Sequence, residues 1–260
     1  MAQFCMKIAG VAARVESLFE STRDYCRNYL TEEEPEFTII VTRENLEFEQ
    51  EDLRREAVEE GMRLRRFTDP FLDRAAIQRQ FAEFLLTRET LMLHGSTVAV
   101  DGQAYLFTAK CGAGKSTHTR LWCQVFGDRA VMINDDKPFL KITGEGVAAC
   151  GAPWSGKHGL DTNVQLPLKG ICILERGQEN RVFPIPAAEA EPMLRKQSYY
   201  PLSPETAKSY ESLLQLLLQR VPCYRMTCTK DTQAARVAHG VMSGDFSGNL
   251  SEPVDRAEKI

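Results

Sequence analysis

The chain has 260 residues, 43% of them hydrophobic and 26% charged, the composition of a soluble globular protein with one large core or two modest ones. A net charge of −4 gives no general attraction to nucleic acid or anionic membranes, so phosphate binding would have to come from local basic groups. No apolar run approaches the roughly 20 residues that span a bilayer, and the amino terminus lacks the apolar stretch of a signal peptide. The eight cysteines include no CxxC pair, so reduced thiols in a cytoplasmic protein are expected, with no zinc site and no disulfide framework.

Along the chain, "MKIAGVAARV" reads as an opening strand and residues 16–30 as an amphipathic helix. "TEEEPE" is an acidic turn and "FTIIVT" a β-branched strand. Residues 44–66 are heavily charged and read as helical, with Arg63, Arg65 and Arg66 on a solvated face. Asp69-Pro70 then opens a helix, Asp69 as cap and Pro70 at the first position, with Ile77, Phe81, Phe84 and Leu85 forming a core-facing stripe. From residue 90 the texture becomes strand-like. "TLMLHGSTVAV" and "QAYLFTA" meet at Asp101-Gly102, a hairpin dipeptide. A helix over 115–126 precedes "AVMINDD", the hairpin "FLKIT-GEG-VAAC" and the buried strand "LPLKGICILERG". A helix near 205–220, the strand "CYRMTCT" and a helix from Asp231 follow, and residues 246–260 read as a flexible tail.

The segment "TAKCGAGKSTHTRLW", 108–122, sits between a strand and a helix. The first N–H groups of a helix lack internal partners and the helix dipole adds positive character there. Glycine-rich backbone can wrap a phosphate with its N–H groups pointing inward. Cys111, Gly112, Ala113, Gly114, Lys115, Ser116 and Thr117 therefore form the expected phosphate-binding turn, with the Lys115 charge on the β/γ oxygens and the Ser116 hydroxyl on Mg²⁺. The pattern departs from Gly-x₄-Gly-Lys-Ser at Ala109, which fits if its φ is negative. "AVMINDD" ends in Asp135 and Asp136, where Mg²⁺ or its waters can be held; the two carboxylates repel, so one is expected to have a raised pKa. Cys111, among helix-start N–H groups and near Lys115, has surroundings that favour thiolate, although a small residue that merely fits reads as well.

"LHGSTVAVDGQAYLFTAKCGAGKST" followed by "INDD" resembles the HPr kinase/phosphorylase family and its phosphoenolpyruvate carboxykinase-like P-loop relatives, over roughly residues 90–175. The resemblance implies an α/β fold with a mixed β-sheet P-loop core over 89–245, preceded by an amino-terminal α/β segment, 1–88, that matches nothing in the family. It implies that His94 approaches the reacting phosphoryl group, Lys115 neutralises developing charge, Ser116 and Asp135 hold the metal, and Asp136 accepts the proton of the attacking hydroxyl. For His94, the residues alone equally allow a satisfied structural histidine.

The resemblance breaks at "CGAPWSGKHGLDTN", 150–163, which stands where the family carries a metal-binding Glu. This reads as an active-site loop, with Lys157 a second phosphate-neutralising charge and Trp154 lining the acceptor or base pocket; a surface loop with a partly buried Trp is the alternative.

The leading expectation is thus a kinase using ATP and Mg²⁺, with a hydroxyl on a small molecule or a Ser-containing peptide as acceptor. A carboxykinase-like lyase and a non-catalytic nucleotide-binding or peptide-binding module remain open, as does homo-oligomer formation. Neither nucleic acid nor membrane is expected as a partner.

Overall fold

The computed structural model describes residues 1–59, 61–110 and 112–244. Cys111 and the tail expected over 246–260 lie outside the described residues.

The chain opens with a hairpin, β1 (Ala2–Ile8) and β2 (Val11–Ser17), where a single strand was expected. Ala9 and Gly10 both take positive φ, 52° and 85°, the twist that joins two antiparallel strands tightly. Alternating burial continues to Ser17, so the helix expected over 16–30 shrinks to α1 (Glu20–Tyr25). β3 (Phe37–Ile40) adds in parallel to β2 and completes a three-stranded sheet. Two long helices follow, α2 (Arg43–Glu59) and α3 (Asp69–Leu85). Thr68 rather than Asp69 occupies the cap position of α3, and Pro70 lies in its first turn.

Among the described residues the larger sheet has nine strands. In chain order they are β4 (Thr90–Met92), β5 (Ser96–Val100), β6 (Gln103–Thr108), β7 (Ala130–Asn134), β8 (Phe139–Thr143), β9 (Gly146–Cys150), β10 (Gln165–Arg176), β11 (Arg181–Ile185) and β12 (Cys223–Cys228). The order is β4-β8-β9-β10-β6-β5-β7, with β12 also on β10 and β11 on β12. Only β6–β10 and β10–β12 pair in parallel; every other neighbouring pair in this sheet is antiparallel. β10 is long enough to pair with β9 through its first residues and with β12 through its last, which curls the sheet. β11 carries Pro184, which its edge position tolerates.

Helices cover both faces. α4 (Lys115–Phe126) and α7 (Thr232–Ser243) bury Trp122, Ala235 and Ala238 against Val98, Phe107 and Cys172. α5 (Ala187–Gln197) and α6 (Pro204–Arg220) bury Leu194, Tyr210, Leu214 and Leu217 against Leu106, Leu140 and Ile171. The amino-terminal elements have a third cluster, in which Met6, Val15, Ile39, Ile77 and Phe81 meet Phe139, Cys150 and Trp154 of the larger sheet and its loops. Burying a side chain such as Phe81 stabilises by about 1.5–3 kcal/mol, so this shared cluster is a substantial tie. The chain is a mixed α/β protein with a curled mixed sheet.

No helix is long and apolar enough to cross a membrane among the described residues, and the seven cysteines described are free thiols.

Candidate active site

The parallel strands β6, β10 and β12 end on the same side of the sheet, and the glycine turn follows β6. Gly112 and Gly114 take φ of 73° and 116°, and a Cβ at either would meet nothing within 4 Å. Glycine is therefore required there by backbone conformation rather than by crowding. Ala109, at the first position of the pattern, is fully buried and is not among the residues with positive φ, so the methyl group is accommodated. α4 starts immediately at Lys115, with Gly114 at its cap and no side chain capping it. Among the described residues no side chain caps its leading N–H groups, the condition under which a helix start can accept an anion. Lys115 Nζ donates to Ala109 O at 3.3 Å, folding the ammonium back over its own turn. Ser116 and Thr117 are half-buried in the first turn of α4.

Across from this turn, the end of β7 presents the carboxylates. Asn134 organises them: its Oδ1 accepts from the Asp136 and Lys137 amides at 2.8 and 2.6 Å, and its Nδ2 donates to Ala152 O at 2.7 Å and Trp154 O at 3.3 Å. Asp135 is buried and accepts from Ser96 Oγ at 2.6 Å, and Ser96 is 2.7 Å from Thr119 Oγ1 on α4. This chain of hydroxyls sets Asp135 against the first turns of α4, one turn from Ser116. Asp136 turns the other way, with Oδ1 3.3 Å from His94 Nε2. The two adjacent carboxylates therefore do not share a site.

Burial alone would raise the Asp136 carboxyl, but the His94 hydrogen bond and the nearby charges of Lys137 and Lys115 outweigh it and hold the group below the usual carboxylate range. For Asp136 this reverses the raised value expected from carboxylate repulsion. Burial and Lys137 press the His94 pKa down, while its contact with Asp136 opposes that shift. Nε2 faces the Asp136 carboxylate and is the donor of the pair, since an ionised carboxylate can only accept. Its backbone is braced on both sides: N donates to Gln197 O at 2.7 Å, and O accepts from Thr108 Oγ1 at 2.9 Å. Gly95 follows it because a Cβ there would lie 3.0 Å from Leu106 Cδ2 and 3.1 Å from Phe107 O.

The loop over 150–163 has two fates. Trp154 is a core residue rather than the wall of an acceptor pocket: it is 6% exposed, donates from Nε1 to Arg74 O at 2.9 Å and packs near Phe81 and Phe139. Its amphipathic indole suits a site where a buried ring must still satisfy one N–H. Gly156, two residues on, abuts the site, since a Cβ there would lie 3.2 Å from Asp136 Cβ. Lys157 follows it in a short turn over Gly156–His158 and is exposed, with no ion pair among the described residues.

Two residues escaped the sequence reading. Lys137 directly follows the Asp pair and acts electrostatically on both Asp136 and His94. Its position in "INDDK" was the available signal. Arg176, at the end of β10, donates from Nη2 to Gly112 O; nothing in the sequence links two residues so far apart. Beside Gly112, Gly114 and Arg176 lies a cavity of about 460 Å³, bounded beyond by Cys228, Thr229 and Lys230.

Among the described residues no group of three or more His, Cys, Asp or Glu side chains converges as a metal cage. Asp135, with one oxygen engaged by Ser96, and the Ser116 hydroxyl supply hard oxygen donors of the type that Mg²⁺ takes together with phosphate oxygens.

No family model and no curated protein matches the sequence. Among solved structures, the Hpr(Ser) kinase/phosphatase from Coxiella burnetii is similar, at 11% identity over 59% of this chain and 97% of that chain, with a TM-score of 0.37. A likeness of that degree carries no weight for the chemistry.

Proposed function

We propose that the protein is a phosphotransferase that moves the γ-phosphoryl group of ATP to an alcohol. One observation carries this reading: an uncapped helix start with Lys115 faces a hydrogen-bonded His94–Asp136 pair, which Lys115 reaches electrostatically. The triphosphate rests on the turn 112–117, with its nucleoside in the cavity bounded by Arg176 and Thr229. Ser116 and Asp135 would hold Mg²⁺, which supplies charge neutralisation at the phosphate oxygens when bound.

The acceptor oxygen forms its bond to the γ-phosphorus as the bond from that phosphorus to the bridging oxygen breaks. The electron pair leaves with ADP, and the hydroxyl proton passes to Asp136. A carboxylate held at low pKa is a weak base, so its main work is to aim the hydroxyl, with proton transfer late in the reaction. His94 keeps that carboxylate oriented. Lys115 balances charge that accumulates on the transferred group.

The test is phosphoryl transfer from γ-labelled ATP by wild type and Asp136→Asn, with ATP binding followed separately. Transfer is expected to fall about 10²–10⁴-fold, the contribution of a positioned base, while ATP binding persists. Binding of ATP without transfer to any alcohol by the wild type would instead favour the non-catalytic module. Loss of binding and transfer together in Asp136→Asn would remove Asp136 from the role of base.

A further inference from the structure

The amino-terminal segment does more than cover the sheet. With the turn after α5 it encloses a cavity of about 490 Å³ that has His94 and Lys137 in its wall. Phe48 from α2, Met92 from the end of β4, and Tyr199 and Tyr200 from the turn supply an apolar lining. His94, the partner of Asp136, thus stands at the boundary of this cavity.

Both arginines of this wall are matched, and Asp52, Glu56 and Glu59 of α2 add negative charge to it. Arg79 pairs with Glu49 at 2.5 Å, and Arg55 pairs with Asp52 at 2.8 Å. Lys137 differs. Its backbone amide is fixed by Asn134, its side chain is half-buried, and its ammonium has no hydrogen bond or ion pair among the described residues. The charge of Lys137 acts on Asp136 without a direct ion pair, so its donors remain available for an anion delivered by a ligand. Lys137 also follows Asp136 directly, so the anion it holds would sit within a few bonds of a hydroxyl placed at Asp136.

We propose that this cavity is the acceptor site, that Lys137 is its carboxylate-reading residue, and that the acceptor is a small hydroxy acid with an apolar substituent. The inference rests on the phosphotransferase reading and adds the substrate class to it. The carboxylate meets Lys137, the hydroxyl meets Asp136, and the substituent lies along Phe48, Met92 and Tyr199. The amino-terminal segment thereby selects the acceptor.

The experiment compares 3-hydroxybutyrate and 2-hydroxyisocaproate with their neutral amides, using γ-labelled ATP for transfer and calorimetry with a non-hydrolysable ATP analogue for binding. The acids should exceed their amides in kcat/KM by about tenfold or more, on the order of one charge-assisted hydrogen bond. In Lys137→Met the KM for the acids should rise by a similar factor and the acid-to-amide ratio should fall to about one; Lys137→Arg should restore the ratio. Equal use of acids and amides by the wild type would overturn the proposal, as would an acid preference that survives Lys137→Met. Absence of acid binding while ATP still binds would overturn it too. Lys137-dependent binding of the acids without transfer leaves the pocket standing and removes the phosphotransferase reading, so the two ideas fail separately.

Discussion

The two halves of the candidate site are built in opposite ways. The side proposed for phosphate is a glycine turn with no side chain capping the helix start among the described residues, tied down by Lys115 to Ala109 and Arg176 to Gly112. The carboxylate side is cross-braced: Asn134 makes four hydrogen bonds, Ser96 and Thr119 hold Asp135, and His94 is pinned through its own N and O. A polyphosphate brings charge and many acceptor oxygens, so its site can leave N–H groups open and be completed by the ligand. On the proposed reading a base must be in place before an alcohol arrives, which a side organised in advance provides.

That contrast is broken most severely at Asn134. Asn134→Ala removes both Oδ1 and Nδ2 and leaves the amides of Asp136 and Lys137 and the carbonyls of Ala152 and Trp154 without these partners. Because Asn134 is fully buried, a loss of about 4 kcal/mol is expected, taking each of the four stranded groups at the low end of its cost. Urea denaturation of the variant measures it. A loss below about 1 kcal/mol would mean that the carboxylate side is not preorganised by this residue.

The open half should respond in binding more than in stability. At Gly114 φ is 116°, beyond the left-handed region that Asn enters, whereas φ of 73° at Gly112 lies close to it. Gly114→Asn should therefore cost about 1–2 kcal/mol of backbone strain and weaken ATP binding about tenfold, and Gly112→Asn should be nearly neutral. Calorimetric titration of ATP into the two variants checks the difference. Equal losses would show that the turn adapts to its residues rather than dictating them.

How much of this was legible in the sequence follows the same division. The glycine turn, α4, the hairpin at Asp101-Gly102 and β7 could be read because their signals are local: glycine at special φ, a dipeptide at a turn, an apolar run ending in carboxylates. Asp101 and Gly102 do take φ of 51° and 76°. The bracing could not be read, because Ser96, Thr119 and Asn134 matter through partners far along the chain. Trp154 misled for a related reason. A tryptophan between glycines looks like a ligand plate, and only the arrival of α3, with Arg74 O and Phe81, makes it core. The opening strand was taken as one because Ala9 gives no sign of positive φ. β11 and α5 were missed because Pro184 and Pro192 argue locally against a strand and a helix.

A smaller effect, expected at Glu83 of α3, tests whether the acceptor wall is organised in advance like the carboxylate side. Its carboxylate accepts from Tyr199 Oη at 2.7 Å, Leu202 N at 3.1 Å, Ser203 N at 3.4 Å and Thr206 Oγ1 at 2.5 Å, tying the amino-terminal segment to the turn that lines the cavity. Burial pushes the group up, but these four donors outweigh it and hold its pKa below the usual glutamate value. A carboxyl whose folded pKa is depressed stabilises fully above its unfolded pKa, about 4.3 for Glu, and loses that contribution as pH falls through the folded value. Glu83→Gln should thus cost about 1 kcal/mol at pH 7, discounted because the group is only half-buried. The gap between wild type and variant should close below about pH 4, measured as urea midpoints across pH 3–7. A gap that stays constant would assign the effect to packing rather than to the charge. A closing gap, together with weaker hydroxy-acid binding by the variant at pH 7, would place the shape of the acceptor wall under this one carboxylate.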